Sequence, residues 1–264
     1  MPTHPKRLAL QVWTVRHAMW ADLDGTLRRI ADLPIDGIEF AAFPDDRKPE
    51  EARTLCADLG KAIVGNHALL GDLRGDALER TMDFNRALGN DTIFLVWMDP
   101  DDRDTPEAVE RSLETIRAAH ETLRDHGFRF GYHNHDFDAK TLSNGRTCWD
   151  MVAGTMPDDF LLEYDTGNAV MGNEDPVAKL RQYAGRHPIV HLKEARPEGH
   201  HGPDLIGDGA VDWAGVFGTL AAHPTDGGWL VVEHESHPTL SEFEVAEQNV
   251  RRAAALLERH STLA

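Results

Sequence analysis

Residues 92–133 read TIFLVWMDPDDRDTPEAVERSLETIRAAHETLRDHGFRFGYH, and this stretch decides the fold. Its two apolar ends, 92–97 and 128–133, each have the length and residue types of a buried strand. The segment between them predicts a helix that is capped by Thr105 at its start and ended by Gly127. Two strands that are joined by a helix of this length run parallel in one sheet.

The same alternation of strand and helix continues along the whole chain. The predicted strands are 8–13, 37–40, 62–67, 92–97, 128–133, 160–164, 189–192 and 229–233. Eight such units in 264 residues predict an α/β fold, a (β/α)8 TIM barrel that forms a single domain over residues 1–264. An open doubly wound sheet is the alternative, but no GxGxxG or P-loop motif follows any predicted strand.

The composition excludes some classes of partner. Lys and Arg number 27 against 45 Asp and Glu, which gives a formal charge of −18. We therefore expect no nucleic-acid partner and no anionic membrane partner, because both need clustered Lys and Arg. No apolar run has the length of a membrane span.

The cysteines and the first residues bear on the compartment. Cys56 and Cys148 lie far apart without CxxC spacing, which favours a reducing cytoplasm over a disulfide framework. Residues 1–6 are polar, so we expect no signal peptide and a cytoplasmic protein. A homodimer is the default expectation for the oligomeric state.

The ends of the predicted strands carry the candidate site, because the chemistry of such barrels lies at the carboxyl ends of the strands. Ionisable residues stand at the ends of six strands: Glu39, His67, His133, His135, Asp165, His191, Lys193 and Glu233. Four of these come from adjacent strands and form a candidate metal set: His133, Asp165, His191 and Glu233. Mixed imidazole and carboxylate ligands suit Mn²⁺, Zn²⁺, Fe²⁺ or Co²⁺ better than Ca²⁺.

The run YHNHDFD at 132–138 places two histidines two residues apart, directly after a predicted strand. Side chains at positions i and i+2 of a strand point to the same face. His133 and His135 are therefore expected to project into one space. Taken alone, the pair could bind a metal, transfer protons, or divide these two roles.

Several segments together resemble one family. They are LQVWTVR at 10–16, YHNHDF at 132–137, DTGN at 165–168, VHLKE at 190–194, GDGAVD at 207–212 and VE at 232–233. In these segments the chain is similar to the xylose-isomerase-like barrel superfamily, in the branch of sugar phosphate isomerases and epimerases related to apurinic endonucleases. The resemblance implies one divalent metal ion (Mn, Zn, Co, Fe or Mg) that is bound by Glu, Asp, His and Glu on four successive strands.

By this resemblance the four ligands are His133, Asp165, His191 and Glu233. His133 stands where much of the superfamily has Glu. In related dehydratases the residue two positions further on is a histidine near the substrate, and here it is His135. The resemblance thus gives the two histidines different roles.

These residues predict a metal-dependent isomerase or epimerase that acts on a sugar or keto-polyol. A divalent ion that is chelated by the carbonyl and hydroxyl oxygens of the substrate acidifies the neighbouring C–H bond and stabilises an enediolate. Glu233 and His135 are the candidate bases, and Lys193 would hold a hydroxyl or the developing oxyanion. Substrate contacts are expected from four residues: His67, Glu39, Trp13 and Trp97.

Three other functions are alternatives to an isomerase or epimerase. An inosose-type dehydratase would use the same metal and base to remove water from a keto-polyol. An apurinic endonuclease would need more metal ligands and a basic surface, which a charge of −18 does not favour. A non-catalytic barrel would bind a sugar without metal-dependent turnover.

Overall fold

The computed structural model describes residues 6–197, 204–223 and 226–261. Each strand in these ranges begins within one residue of its predicted start. The strands are β1 (Arg7–Gln11), β2 (Gly37–Phe40), β3 (Ala62–Leu69), β4 (Thr92–Trp97), β5 (Arg129–His133), β6 (Leu161–Asp165), β7 (Ile189–Leu192) and β8 (Trp229–Val232).

The eight strands close into a barrel in chain order. Every pair of neighbours is parallel, and β1 closes the barrel by pairing with β8. This confirms the predicted (β/α)8 barrel and excludes the open doubly wound sheet. Because all strands run in one direction, their carboxyl ends meet at a single mouth.

Helices connect the strands on the outside of the barrel. They are α1 (Arg16–Ala21), α2 (Leu23–Ala31), α3 (Pro49–Asp58), α4 (Gly75–Leu88), α5 (Pro100–Arg103), α6 (Pro106–Asp125), α7 (Cys148–Ala153), α8 (Thr166–Met171), α9 (Pro176–Gln182), α10 (Trp213–Ala222) and α11 (Glu242–Ser261). The long helix α6 has the predicted cap, since the Thr105 hydroxyl accepts a hydrogen bond from Ala108 N at 3.1 Å. No helix of the described ranges is long and apolar enough to cross a membrane.

The barrel interior has an apolar lower layer and a polar upper layer. The lower layer is a small cluster of buried side chains: Ala9, Val64, Phe94, Ile189 and Val231. Two residues further along three of the same strands, toward the mouth, stand Gln11, His191 and Glu233. The period of two along a strand keeps these polar side chains on the same inward face. A second and much larger apolar cluster packs the helices against the outside of the barrel.

Gly65 in β3 leaves room for the side chain of Glu39 on the neighbouring strand β2. A Cβ atom at residue 65 would lie 2.6 Å from Glu39 Oε1, closer than such atoms approach. The register between the two strands also shifts between Ile38 and Glu39. A glycine at this position therefore allows a carboxylate to occupy the barrel interior.

Two local predictions differ from the structure. The first strand was expected to reach Trp13, but β1 ends at Gln11 and residues 12–15 form a short 3₁₀ helix. The Gln11 side chain accepts a hydrogen bond from Trp13 N at 3.2 Å, which starts this turn. Helix α8, directly after β6, was not predicted; the Asp165 side chain caps it by accepting from Asn168 N.

Candidate metal centre and active site

Four buried side chains converge at the mouth of the barrel. They are His133 at the end of β5, Asp165 at the end of β6, His191 in β7 and Glu233 directly after β8. One ligand atom from each lies within 4.8 Å of the others, so a single ion could contact all of them. The structure thus brings together the four residues that the sequence proposed as ligands.

The unsatisfied oxygen of Asp165 fits a cation at this position. Asp165 Oδ1 accepts a hydrogen bond from Asn168 N at 2.8 Å. Asp165 Oδ2 is buried and has no hydrogen-bond partner, while Lys193 Nζ lies 3.9 Å away. A buried carboxylate oxygen without a donor is costly unless a cation neutralises it. The imidazole and carboxylate donors of the cluster are those that Mn²⁺, Zn²⁺, Fe²⁺ and Co²⁺ accept.

Asn134 fixes the position of Asp165 through its backbone. Asn134 Oδ1 accepts from Asp165 N at 2.7 Å, and Asn134 Nδ2 donates to Asp165 O at 3.2 Å. Asn168 Nδ2 in turn donates to Asn134 O at 2.9 Å. The conspicuous asparagines of the HNH and DTGN segments therefore hold β5 and β6 together beside the candidate metal centre.

A second group of polar side chains lies deeper in the barrel, on the inner side of the four candidate metal ligands. Glu163 Oε2 in β6 bonds to His67 Nε2 at 2.8 Å and to His133 Nδ1 at 3.0 Å. Glu39 Oε2 accepts from Gln11 Nε2 at 2.9 Å and bonds to His191 Nε2 at 2.7 Å. His133 and His191 thus contact both the mouth cluster and this inner carboxylate layer, which sets the orientation of both rings.

Burial and charge pairing give the inner groups opposite pKa shifts. Burial, together with the nearby charge of Glu163, raises the pKa of Glu39 to about 7. Burial also opposes ionisation of Glu163, but His191 and His67 outweigh it and hold that pKa well below its usual value. The structure therefore favours one ionised carboxylate, Glu163, between the imidazoles.

The mouth cluster is also electrostatically divided. Burial raises the pKa of Asp165 to about 7 and lowers that of His133 to about 4. Burial opposes charge on Glu233 and Lys193 as well, but each stabilises the other: the pKa of Glu233 is held well below its usual value and that of Lys193 is raised. These two side chains therefore form a buried ion pair, with Lys193 Nζ 2.9 Å from Glu233 Oε1.

Lys193 and Glu233 are both held by further contacts. Glu233 Oε2 bonds to His191 Nδ1 at 2.7 Å. Lys193 Nζ also donates to Glu235 Oε1 at 2.8 Å, and Glu235 Oε2 accepts from Trp13 Nε1 at 2.8 Å. Glu235, two residues after Glu233, therefore ties the lysine to the tryptophan at the rim.

His135 lies beyond the end of β5 and faces the same space as His133. The two rings are 5.1 Å apart, and the ring of Phe137 stacks on His135 at 5.0 Å. His135 Nδ1 is buried and makes no hydrogen bond within the chain. Burial, together with the neighbouring His133 ring and the Lys193 ammonium, lowers the pKa of His135 well below its usual value. The ring is therefore a neutral imidazole whose buried Nδ1 has no hydrogen-bond partner within the chain.

A pocket of about 400 Å³ opens above these groups. Six predicted site residues line it: Trp13, His67, Trp97, His133, His135 and Glu233. Five residues that were not predicted complete the lining: Gln11, Ala41, Leu69, Val96 and Glu235. A volume of this size is in the range of pockets that bind small molecules.

Glu39 lies below the pocket and not at its surface, where it was predicted. It was expected to contact substrate, yet it is fully buried and is not part of the pocket lining. Its bonds to Gln11 and His191 favour a role in orienting the His191 ring. Contact with substrate stays a prediction for His67, Trp13 and Trp97, all of which line the pocket.

Sequence reasoning missed Glu163, Gln11, Glu235 and Asn134. Glu163 stands two residues before Asp165, and Glu235 two residues after Glu233, so each repeats the spacing that drew attention to His133 and His135. The period of a strand applied at β6 and β8 could have found both. No comparable signal in the sequence marks Gln11.

A family model described as xylose isomerase-like TIM barrel matches residues 27–260. The chain therefore belongs to this family, and the resemblance seen in its sequence segments is confirmed. The family and the pocket together define the class: a xylose isomerase-like barrel with a cluster of imidazoles and carboxylates at its mouth.

The curated relatives of this chain include inosose dehydratases. The inosose dehydratase of Geobacillus kaustophilus is 30% identical over 166 residues, which cover 54% of this chain and 52% of the relative. Inosose dehydratase 2 of Bacillus cereus is 29% identical over 242 residues, which cover 82% of this chain and 74% of the relative. The matched region thus spans about half the length of the first relative.

Among solved structures, a sugar phosphate isomerase/epimerase from Parabacteroides distasonis superposes with a TM-score of 0.80. The two chains share 18% sequence identity, and the superposition covers 97% of this chain and 96% of the other. At this identity the likeness establishes the fold alone.

Proposed function

We propose that this chain is a divalent-metal-dependent enzyme that removes a proton α to the carbonyl of a keto-polyol and then eliminates water. One observation carries this proposal: the neutral imidazole of His135 lines the same pocket as His133 and Glu233, which together with Asp165 and His191 form the candidate metal centre. The relatives named as inosose dehydratases favour water loss over isomerisation.

His135 is the proposed base. The ring of His135, which lines the pocket, accepts the α proton, and the electron pair of the broken C–H bond forms the enediolate. The protonated ring then gives the proton to the β-hydroxyl on the same face; the C–O bond breaks, its electron pair leaves with the oxygen as water, and the enediolate electron pair forms the new carbon–carbon double bond. Atoms and charges balance with this single group.

The remaining residues orient the substrate and the charges. Lys193 was predicted to hold a hydroxyl or the developing oxyanion, but it does not line the pocket; held as an ammonium by Glu233 and Glu235, it fixes both carboxylates beside the substrate space. A divalent ion bound by His133, Asp165, His191 and Glu233 would polarise the substrate carbonyl. Glu233 is already bonded to His191 and Lys193, so its role as ligand is favoured over its role as a base.

Isomerisation or epimerisation is the second candidate. The same imidazolium could return its proton to the neighbouring carbon instead of to a leaving hydroxyl. His135 alone serves dehydration or isomerisation, so the substrate's β-hydroxyl decides between these two; epimerisation needs a second proton donor on the opposite face of the α carbon.

The test is incubation with 2-keto-myo-inositol in the presence of Mn²⁺ or Co²⁺, with a chelator-treated sample as control. Water loss, measured by mass spectrometry, is the expected result. A product of unchanged mass in H₂O that takes up deuterium when the incubation is repeated in D₂O would favour the isomerase or epimerase. Absence of both deuterium exchange and product in the metal-loaded protein, with this ketone and with a ketohexose, would contradict the proposal.

A further inference from the structure

The mouth of the pocket is apolar although its floor is polar. Three large apolar side chains are exposed within residues 6–197, 204–223 and 226–261, namely Trp20, Leu69 and Trp97. Two of these three, Leu69 at 52% and Trp97 at 39% exposure, line the pocket. Exposed apolar side chains at the rim of a binding cleft indicate contact with something apolar.

Trp97 is held in a fixed orientation while it is exposed. Its Nε1 donates to Asp99 Oδ1 at 3.0 Å. The edges of His135 and Phe137 meet the indole at centroid distances of 5.4 and 5.1 Å. The Arg103 guanidinium lies 3.6 Å over Phe137 and completes the support from below. A rigid aromatic surface of this kind loses little conformational entropy when a ligand covers it.

The opposite rim is built in a similar way. Trp13 donates through Nε1 to Glu235 Oε2, and the Arg16 guanidinium lies 4.9 Å from the centre of its ring. Two indoles, from the ends of β1 and β4, therefore flank the entrance. Leu69 at the end of β3 stands between them in strand order.

The charges of the pocket do not suit a phosphate group. Among the residues that the structure describes, no Lys or Arg lines the pocket, whereas Glu233 and Glu235 do. The Lys193 ammonium is already bonded to both of these carboxylates. A phosphate dianion at the mouth would meet negative charge without a free cationic partner.

Because the rim of the pocket is apolar and its floor is polar, we propose that the rim is a subsite for an uncharged aromatic group. This group would be a substituent on the polyol ring of the substrate, and the polyol ring would bind to the floor. The substrate would then be a keto-polyol ring with an aryl or similar group attached, in preference to a free or phosphorylated one. This inference rests on the proposed function only in placing a polyol ring on the floor.

The test compares the binding of three unreactive probes by calorimetry: phenyl β-D-glucopyranoside, methyl β-D-glucopyranoside and glucose 6-phosphate. Burial of one phenyl ring against the rim is expected to favour the phenyl glycoside over the methyl glycoside by about tenfold. Leu69→Ser and Trp97→Ser are each expected to reduce this ratio at least about threefold. Trp20→Ser is the matched control, since Trp20 is 50% exposed and outside the pocket, and it should keep the wild-type ratio.

Equal affinity for the two glycosides, tighter binding of glucose 6-phosphate, or no binding of any probe would overturn the subsite. Thermal unfolding of each variant separates a loss of the subsite from a loss of fold. Selectivity for the phenyl glycoside without keto-polyol turnover would sink the proposed function and leave the subsite standing. Turnover of a keto-polyol without selectivity for the phenyl glycoside would support the proposed function and overturn the subsite.

Discussion

The side-chain amide of Asn134 forms two hydrogen bonds with the backbone of Asp165: Oδ1 accepts from Asp165 N at 2.7 Å, and Nδ2 donates to Asp165 O at 3.2 Å. This pairing crosses from β5 to β6 at the edge of the candidate metal centre. Groups that orient metal ligands commonly affect metal affinity nearly as much as the ligands do.

Asn134→Ala is therefore expected to weaken Mn²⁺ binding by about 10- to 100-fold, because the Asp165 carboxylate loses its fixed position. Isothermal titration calorimetry measures the change. Asn144→Ala, at an exposed loop position, is the matched control and should bind as wild type. Unchanged affinity in Asn134→Ala would show that Asp165 is held sufficiently by its other contacts.

Asp165→Asn separates metal binding from stability. Asparagine also caps helices, so α8 should form, while the negative charge of the carboxylate is lost. Burial raises the pKa of Asp165 to about 7, which shows that its charge is costly in the metal-free fold. We expect the variant to unfold in EDTA at a temperature no lower than wild type, and to lose the stabilisation that added Mn²⁺ gives wild type. A metal-induced rise equal to that of wild type would remove Asp165 from the ligand set.

Glu163 should be essential for stability, although it is absent from the pocket lining. Its Oε2 bonds to both His67 and His133, and the side chain is fully buried. Glu163→Ala leaves both rings without this partner and should destabilise the fold by about 3 kcal/mol. Urea unfolding at neutral pH measures this.

Glu247→Ala provides the comparison for that loss. Glu247 pairs with Arg251 on the surface of α11 and has a side chain that is 50% exposed. Its removal should change stability by less than about 0.5 kcal/mol. Similar effects of the two substitutions would contradict a structural role for the inner carboxylate layer.

His187, before β7, should make the protein less stable in mild acid. Burial lowers its pKa to about 4 from an ordinary value of about 6.5. The unfolded chain therefore binds a proton more readily than the folded one. The stability from this group is complete above pH 6.5 and is lost as the pH falls from 6.5 toward 4.

Between pH 7 and pH 5 this difference amounts to about 2 kcal/mol. His187→Leu removes the titrating ring. When the pH is lowered from 7 to 5, the free energy of unfolding of the variant should therefore decrease by about 2 kcal/mol less than that of wild type. The variant loses the contact of Nδ1 with Leu162 O, so its stability at pH 7 is expected to be lower. Parallel pH curves for the two proteins would exclude His187 as the source of the slope.

The sequence was enough to predict the barrel because strand and helix periods alternate without interruption and each strand starts where an apolar run starts. It also placed His133, Asp165, His191 and Glu233 together, since all four stand at strand ends that meet at one mouth. Of the inner layer it marked Glu39 and His67 but not Glu163, which lies within an apolar run and stands out only when the period of two is extended back from Asp165. Side-chain contacts across the barrel, such as Glu39 with His191, join residues 152 positions apart and leave no local pattern.

The Glu194 carboxylate, two residues after β7, accepts four hydrogen bonds from the connection between β7 and α10 and from the first residue of α10. Its Oε2 accepts from Gly207 N at 2.7 Å and from Trp213 Nε1 at 2.8 Å. Its Oε1 accepts from Val211 N at 3.1 Å and from Ala195 N at 3.2 Å. One carboxylate therefore joins the end of β7 to residues 207 and 211 and to the first residue of α10. Loss of this carboxylate releases four donors at once, so Glu194 couples the placement of α10 to that of β7, and a substitution here is expected to disturb both elements together.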